Sequence, residues 1–168
     1  MVKSWWYVTG AERPYSDTDA TWYMPFYFYQ LGWAQQIFGQ GHMAGRVMSA
    51  VLGAASGGLV FLICRRLALA APIAALAVAL FLLDPTTTYY FTGATPIATV
   101  AFLLLLAIHA VQRAPEATPP LSLGLGVLFA VLYFYRQNMI LAVAVLAPVY
   151  LWQAKQRRGL HAALLVLG

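Results

Sequence analysis

Charge is what this chain has least of. Lys, Arg, Asp and Glu make up 9% of its 168 residues, and only five of them are acidic. A water-facing domain carries near 25% charged residues, so a soluble globule is excluded by composition alone. Cysteine is nearly absent too: Cys64 stands alone inside an apolar run, and one thiol forms no intrachain disulfide. The histidines, His42, His109 and His161, do not fall at metal-ligand spacing, and no metal site is assigned. There is no Gly-rich phosphate loop, zinc signature, Ser-His-Asp arrangement or nucleic-acid module. The start, Met1-Val2-Lys3-Ser4-Trp5-Trp6, lacks the apolar core of a cleavable signal peptide.

What is present is hydrocarbon: 62% of the residues are hydrophobic. The few charges collect between long apolar runs, the pattern expected when the bilayer is the solvent. The reading is all-α, a polytopic transmembrane helix bundle crossing five times or more. Residues 1–20, with Glu12, Arg13, Asp17 and Asp19, read as a polar loop. Residues 21–38 carry no charge and are rich in Trp, Tyr and Gln, which suits an interfacial juxtamembrane or re-entrant helix, with a true span as the alternative. The bundle then occupies 45–168, with spans near 45–64, 67–83, 97–112, 121–135 and 139–153 and a partial one at 160–168. The small residues Gly53 to Gly58 permit close helix approach.

The net charge of +5 sits in short connections, which points to membrane lipids rather than nucleic acid as the partner. Arg65-Arg66, Arg113 and the cluster Lys155 to Arg158 fall at alternate ends of successive spans. They therefore share one side, the cytoplasmic one by the positive-inside rule. The opposite side receives Asp17 and Asp19, the loop 84–96 with Asp84, Tyr89 and Tyr90, and the turn Arg136-Gln137-Asn138. Arg46 lies near that end of its span. Carboxylates there can serve as a general base. An Arg beside a helix start can hold a phosphate through charge-assisted hydrogen bonds. Each group also has a plainer reading: Asp84-Pro85 ends a helix, Asp17 and Asp19 are solvated, Arg46 snorkels, and Arg136 anchors at the headgroups.

Gly10 to Asp17 reads G-A-E-R-P-Y-S-D, followed by Y-M-P-F-Y-F-Y-Q-L and, at Ile37 to Gly39, I-F-G. This resembles the first outer loop of the GT-C membrane glycosyltransferases, among them the protein O-mannosyltransferases and the aminoarabinose transferases, where "G-x-x-P-Y-x-D", "P-P-L-Y-Y-x-L-x-A" and "L-F-G" recur. Gly45 to Gly53 running to Arg65-Arg66-Leu67 is similar to the family's "x-R-x-x-S-A-L-x-G … R-R-L". Gly124 to Leu141, with Tyr135-Arg136-Gln137-Asn138, is similar to its "G-L-x-x-T-R-x-N".

The resemblance implies transfer of a sugar from a polyprenyl-phosphate donor to an acceptor on the extracytoplasmic side, with inversion. It implies a multi-pass protein of the bacterial inner membrane. Asp17 and Asp19 become the catalytic carboxylates, and Arg136 with Asn138 the donor phosphate ligands. Asp84, Tyr89 and Arg46 are further outer-face candidates. No cofactor beyond the donor substrate is assigned, and a divalent metal is left open. Departures accompany the match: Ile97 stands where the family often has Asp, and Met24 where it has its first Pro. The acid that follows the family's first helix falls, by spacing, upstream of Met1, so the chain is expected to be a fragment. The rival readings are a multi-pass transporter or lipid flippase and a non-catalytic membrane scaffold.

Overall fold

A computed structural model describes residues 8–10, 25–154 and 158–168. Its α-helices from residue 25 onward are α1 (Pro25–Phe38), α2 (His42–Arg66), α3 (Ala71–Leu83), α4 (Pro85–Thr92), α5 (Pro96–Val111), α6 (Pro119–Tyr135), α7 (Ile140–Gln153) and α8 (Arg158–Leu167). Short 3-10 turns at Ala114–Glu116 and Gln137–Met139 complete the set, and no strand occurs among the described residues. The all-α reading therefore holds.

Local chemistry explains the boundaries. Three helices begin with proline directly after Asp84, Thr95 or Thr118. At a first helical position the missing N–H costs nothing and the fixed φ is already helical. The α1–α2 connection turns on Gly39 and Gly41 at φ 84° and 139°, backbone that a side chain would strain.

α2 is the spine. Its 25 residues extend roughly 37 Å at 1.5 Å per residue, more than the apolar core of a bilayer needs. It is the one described helix that is by itself long and apolar enough to cross a membrane. α3 and α4 reach that length together but are bent by 65° at Asp84. α5, α6 and the stretch Gln137–Gln153 are apolar and shorter. Large apolar side chains nevertheless face outward all round the bundle, including Leu83 at 76% exposure, Leu141 at 72% and Trp152 at 73%. Water would make such a surface sticky; hydrocarbon solvates it.

Small residues set the helix spacing. Gly45, Ser49, Gly53 and Gly57 recur every fourth residue on the buried face of α2. A β-carbon at Gly45 would stand 2.5 Å from the Ala94 β-carbon, one at Gly53 2.9 Å from the Phe91 ring, and one at Gly57 3.2 Å from Leu82. The stretch Gly53 to Gly58 thus packs on only one side, since a β-carbon at Gly58 would meet nothing within 4 Å. A second such seam joins α6 and α8. Ser122 meets His161, and Gly126 meets Leu165, so both partners advance by four and the two helices run parallel with their backbones close.

The segment 84–96, expected to be a loop, is mostly helix α4. The break at Asp84 frees backbone groups that lipid cannot satisfy, and neighbouring hydroxyls supply the partners. Thr88 donates to the Leu82 carbonyl at 2.8 Å, Thr92 to that of Thr88 at 2.8 Å, and Thr95 to that of Tyr90 at 3.2 Å. A threonine-rich stretch after a helix break is how a chain satisfies these groups without water.

Candidate functional site

The two ends of the bundle differ in chemistry. At one end, Arg66 forms an ion pair with Glu116 at 3.3 Å, and Arg113 approaches the same carboxylate at 3.9 Å. This brings the C-terminal ends of α2 and α5 together, as the alternation of charged connections requires. The Arg66 hydrogen bond and charge hold the Glu116 carboxyl below its usual value. Nearby, the fully buried Ser122 hydroxyl lies 2.7 Å from the Tyr150 hydroxyl and 2.6 Å from His161 Nδ1. This knot of α6, α7 and α8 was not legible in the residue spacing of any one helix; its signal is an uncharged polar residue at the start or end of each apolar run.

At the opposite end, α1 closes over the N-terminal end of α2. Leu31 and Ala94 both pack on Gly45. From α1, Gln30 reaches Thr99 in the first turn of α5 and Tyr135 in the last turn of α6. Both hydroxyls donate to its Oε1, at 2.9 and 2.7 Å. Phe26 stacks on Phe134 with centroids 5.6 Å apart. Arg136 follows Tyr135 and is half-buried, closing α6 with its N–H on the Leu132 carbonyl at 3.0 Å and leading into the turn Gln137–Met139. Asn138 is exposed in that turn. The guanidinium thus springs from the C-terminal end of one helix, where a cation is favoured, and precedes the start of the next, where an anion is.

The other candidates separate. Arg46 is exposed on the first turns of α2 at this same end. Asp84 stands lower than the outer loop expected for it. Val78 and Leu82 pack on Gly57 and Phe91 on Gly53, which sets Asp84 level with the middle of α2, about 10 Å below Arg46 at 1.5 Å per residue. There its carboxylate caps α4, accepting the Thr87 N–H at 2.7 Å. Tyr89 is 70% exposed and meets Tyr90 edge-on at 5.3 Å. Asp17 and Asp19 lie outside the described residues. Burial pushes the Tyr27 phenol on α1 up to about 12, and its hydroxyl has no hydrogen-bond partner among the described residues. No group of three His, Cys, Asp or Glu able to hold a metal occurs among the described residues.

Two apolar grooves flank this end. One, of about 320 Å³, lies between α1 and α2, with Gln30, Trp33, Ile37 and Val51 in its walls. The other, of about 420 Å³, runs from Tyr133, Phe134 and Ile140, on either side of the Arg136 turn, down to Gly126 and Gly168.

An all-helical bundle with a lipid-suited surface, a basic end and a capped end carrying Arg136 is the architecture of a membrane-embedded protein. Residues 20–168 match the family model of the dolichyl-phosphate-mannose-protein mannosyltransferases, and the chain belongs to that family of membrane glycosyltransferases. The match begins just after Asp19 and takes in α1 through α8. No curated protein and no solved structure is significantly similar to the chain.

Proposed function

We propose that the chain is the lipid-donor module of a membrane glycosyltransferase that takes a sugar from a polyprenyl phosphate and passes it to an acceptor on the extracytoplasmic side. Arg136 holds the donor phosphate, with Asn138 beside it. The observation that carries this reading is the placement of Arg136. Arg65, Arg66 and Arg113 belong to the end with Glu116, while Arg46 and Arg136 belong to the end closed by α1, and of these two Arg136 is the half-buried one, at the junction of α6 and the following turn. A guanidinium above an apolar groove meets both halves of a lipid phosphate, charge at the head and hydrocarbon below. The carboxylates of the first loop, Asp17 and Asp19, supply the base for the acceptor. The helices cross a bacterial inner membrane several times, with the Arg66 end cytoplasmic.

The test is sugar transfer by the full chain in proteoliposomes supplied with a polyprenyl-phosphate sugar. Loss of a hydrogen-bonded charge is worth about 1.5–3 kcal/mol, so Arg136→Ala is expected to lower kcat/KM roughly 10- to 100-fold. Full turnover in that variant refutes the phosphate role. Substrate flux across the vesicle without sugar transfer would favour the transporter reading instead. The position of Asp84 beside a helix break is the one feature that a transporter would share.

A further inference from the structure

Gln30 is a primary amide flanked on α1 by Phe26, Tyr27, Phe28, Tyr29, Leu31 and Trp33. Such a group is costly next to hydrocarbon unless it is bonded. Its carbonyl oxygen takes two hydroxyl donors, Thr99 and Tyr135, from residues 69 and 105 positions away in the chain. A carbonyl has two lone pairs, so this acceptor is saturated. Phe26, one turn earlier on the same face of α1, adds the ring contacts to Phe134 and, at 5.8 Å, to Tyr135. Three helices therefore meet at one side chain, and the contact ends one residue short of Arg136.

We infer that Gln30 is a positioning residue for Arg136: by holding the Tyr135 hydroxyl it fixes the last turn of α6, and with it the point from which the guanidinium departs. The inference rests on the reading of Arg136 as the phosphate ligand. It adds a route by which α1 sets the geometry of a cation more than a hundred residues later. A guanidinium matches a phosphate through paired, directional bonds, so freedom at its base weakens the complex without altering the chemistry that follows. A purely structural Gln30 would affect stability and leave donor affinity alone.

The experiment measures Kd for a polyprenyl phosphate, with KM and kcat for the corresponding sugar donor, on the full chain in proteoliposomes. Gln30→Met removes the acceptor at similar volume. Tyr135→Phe removes a single oxygen and carries the test if the first variant does not fold. Loss of one such bond is expected to raise Kd and KM about tenfold and to leave kcat within about twofold. Thr99→Ser keeps the hydroxyl and is expected to stay at the parent value. If Arg136→Ala weakens binding while Tyr135→Phe leaves Kd and KM unchanged, the positioning role is overturned and the phosphate role stands. A fall in kcat at unchanged Kd also overturns it. If Arg136→Ala itself leaves Kd unchanged, the phosphate reading fails and the role of Gln30 fails with it.

Discussion

Replacing Ser122 by alanine removes the shared partner of two buried groups. In the parent, Ser122 Oγ lies 2.7 Å from the Tyr150 hydroxyl, 2.6 Å from His161 Nδ1 and 3.2 Å from the Thr118 carbonyl. Tyr150 is fully buried and His161 is 4% exposed, so neither gains water when the serine goes. The carbonyl of Thr118 loses little, because it keeps the Ser122 N–H at 3.1 Å. An orphaned buried polar group costs about 1–3 kcal/mol, and interhelical bonds in membrane proteins average toward the lower end. Two orphans then put Ser122→Ala at about 2–4 kcal/mol. Tyr150→Phe removes one hydroxyl and leaves Ser122 with His161 and Thr118, so it is expected to cost only about 1 kcal/mol. Thermal or denaturant unfolding of detergent-solubilised protein measures both, with about 2–4 °C in Tm per kcal/mol for a chain of this size. The reasoning is refuted if Tyr150→Phe destabilises as much as Ser122→Ala, because the serine would then not be the hub.

Two further outcomes follow from the same packing and electrostatics. A β-carbon at Gly126 would stand 2.5 Å from the Leu165 carbonyl oxygen, whereas one at Gly58 meets nothing within 4 Å. Gly126→Ala is therefore expected to cost about 1–3 kcal/mol by forcing α6 and α8 apart, while Gly58→Ala is neutral or stabilising by up to about 1 kcal/mol; equal unfolding midpoints would contradict this. The Arg66–Glu116 pair lowers the Glu116 carboxyl from its ordinary 4.5, so the unfolded chain binds this proton first. The contribution of the pair is thus complete above that value and lost as pH falls through the lower folded value. Both partners are substantially exposed, so the effect is small and screened by salt. Glu116→Gln should flatten the acid limb of a stability–pH profile at low salt and leave it unchanged near pH 7 apart from a small constant offset.

Much of the fold is legible in the residues. Each expected apolar run of the bundle has a helix on it, because runs without charge leave the backbone no partner but itself. The helix starts at Pro96 and Pro119 follow from local chemistry. α4 was not legible: Asp84-Pro85 is a sound stop signal, and the same pair is an equally sound start. Only the packing of Phe91 on Gly53 shows that the chain stays helical and lies against the middle of α2. For the site, Arg136 stood out with Arg46 as the cations at the end away from the basic connections. Gln30 did not, because one glutamine among Gln30, Gln35 and Gln36 carries no mark of its partners.

Composition by itself determined the solvent and the class of structure. So few charges among so many apolar residues require hydrocarbon around the chain and helices within it, and the order of motifs named the family. The tertiary structure alone decided which polar groups meet. Hydrogen bonds between residues 69 and 105 positions apart depend on how helices cross. Crossing is set by small residues on faces that periodicity can list but cannot pair. The charged ends were written in the chain; the three-helix contact at Gln30, one residue short of Arg136, came only with packing.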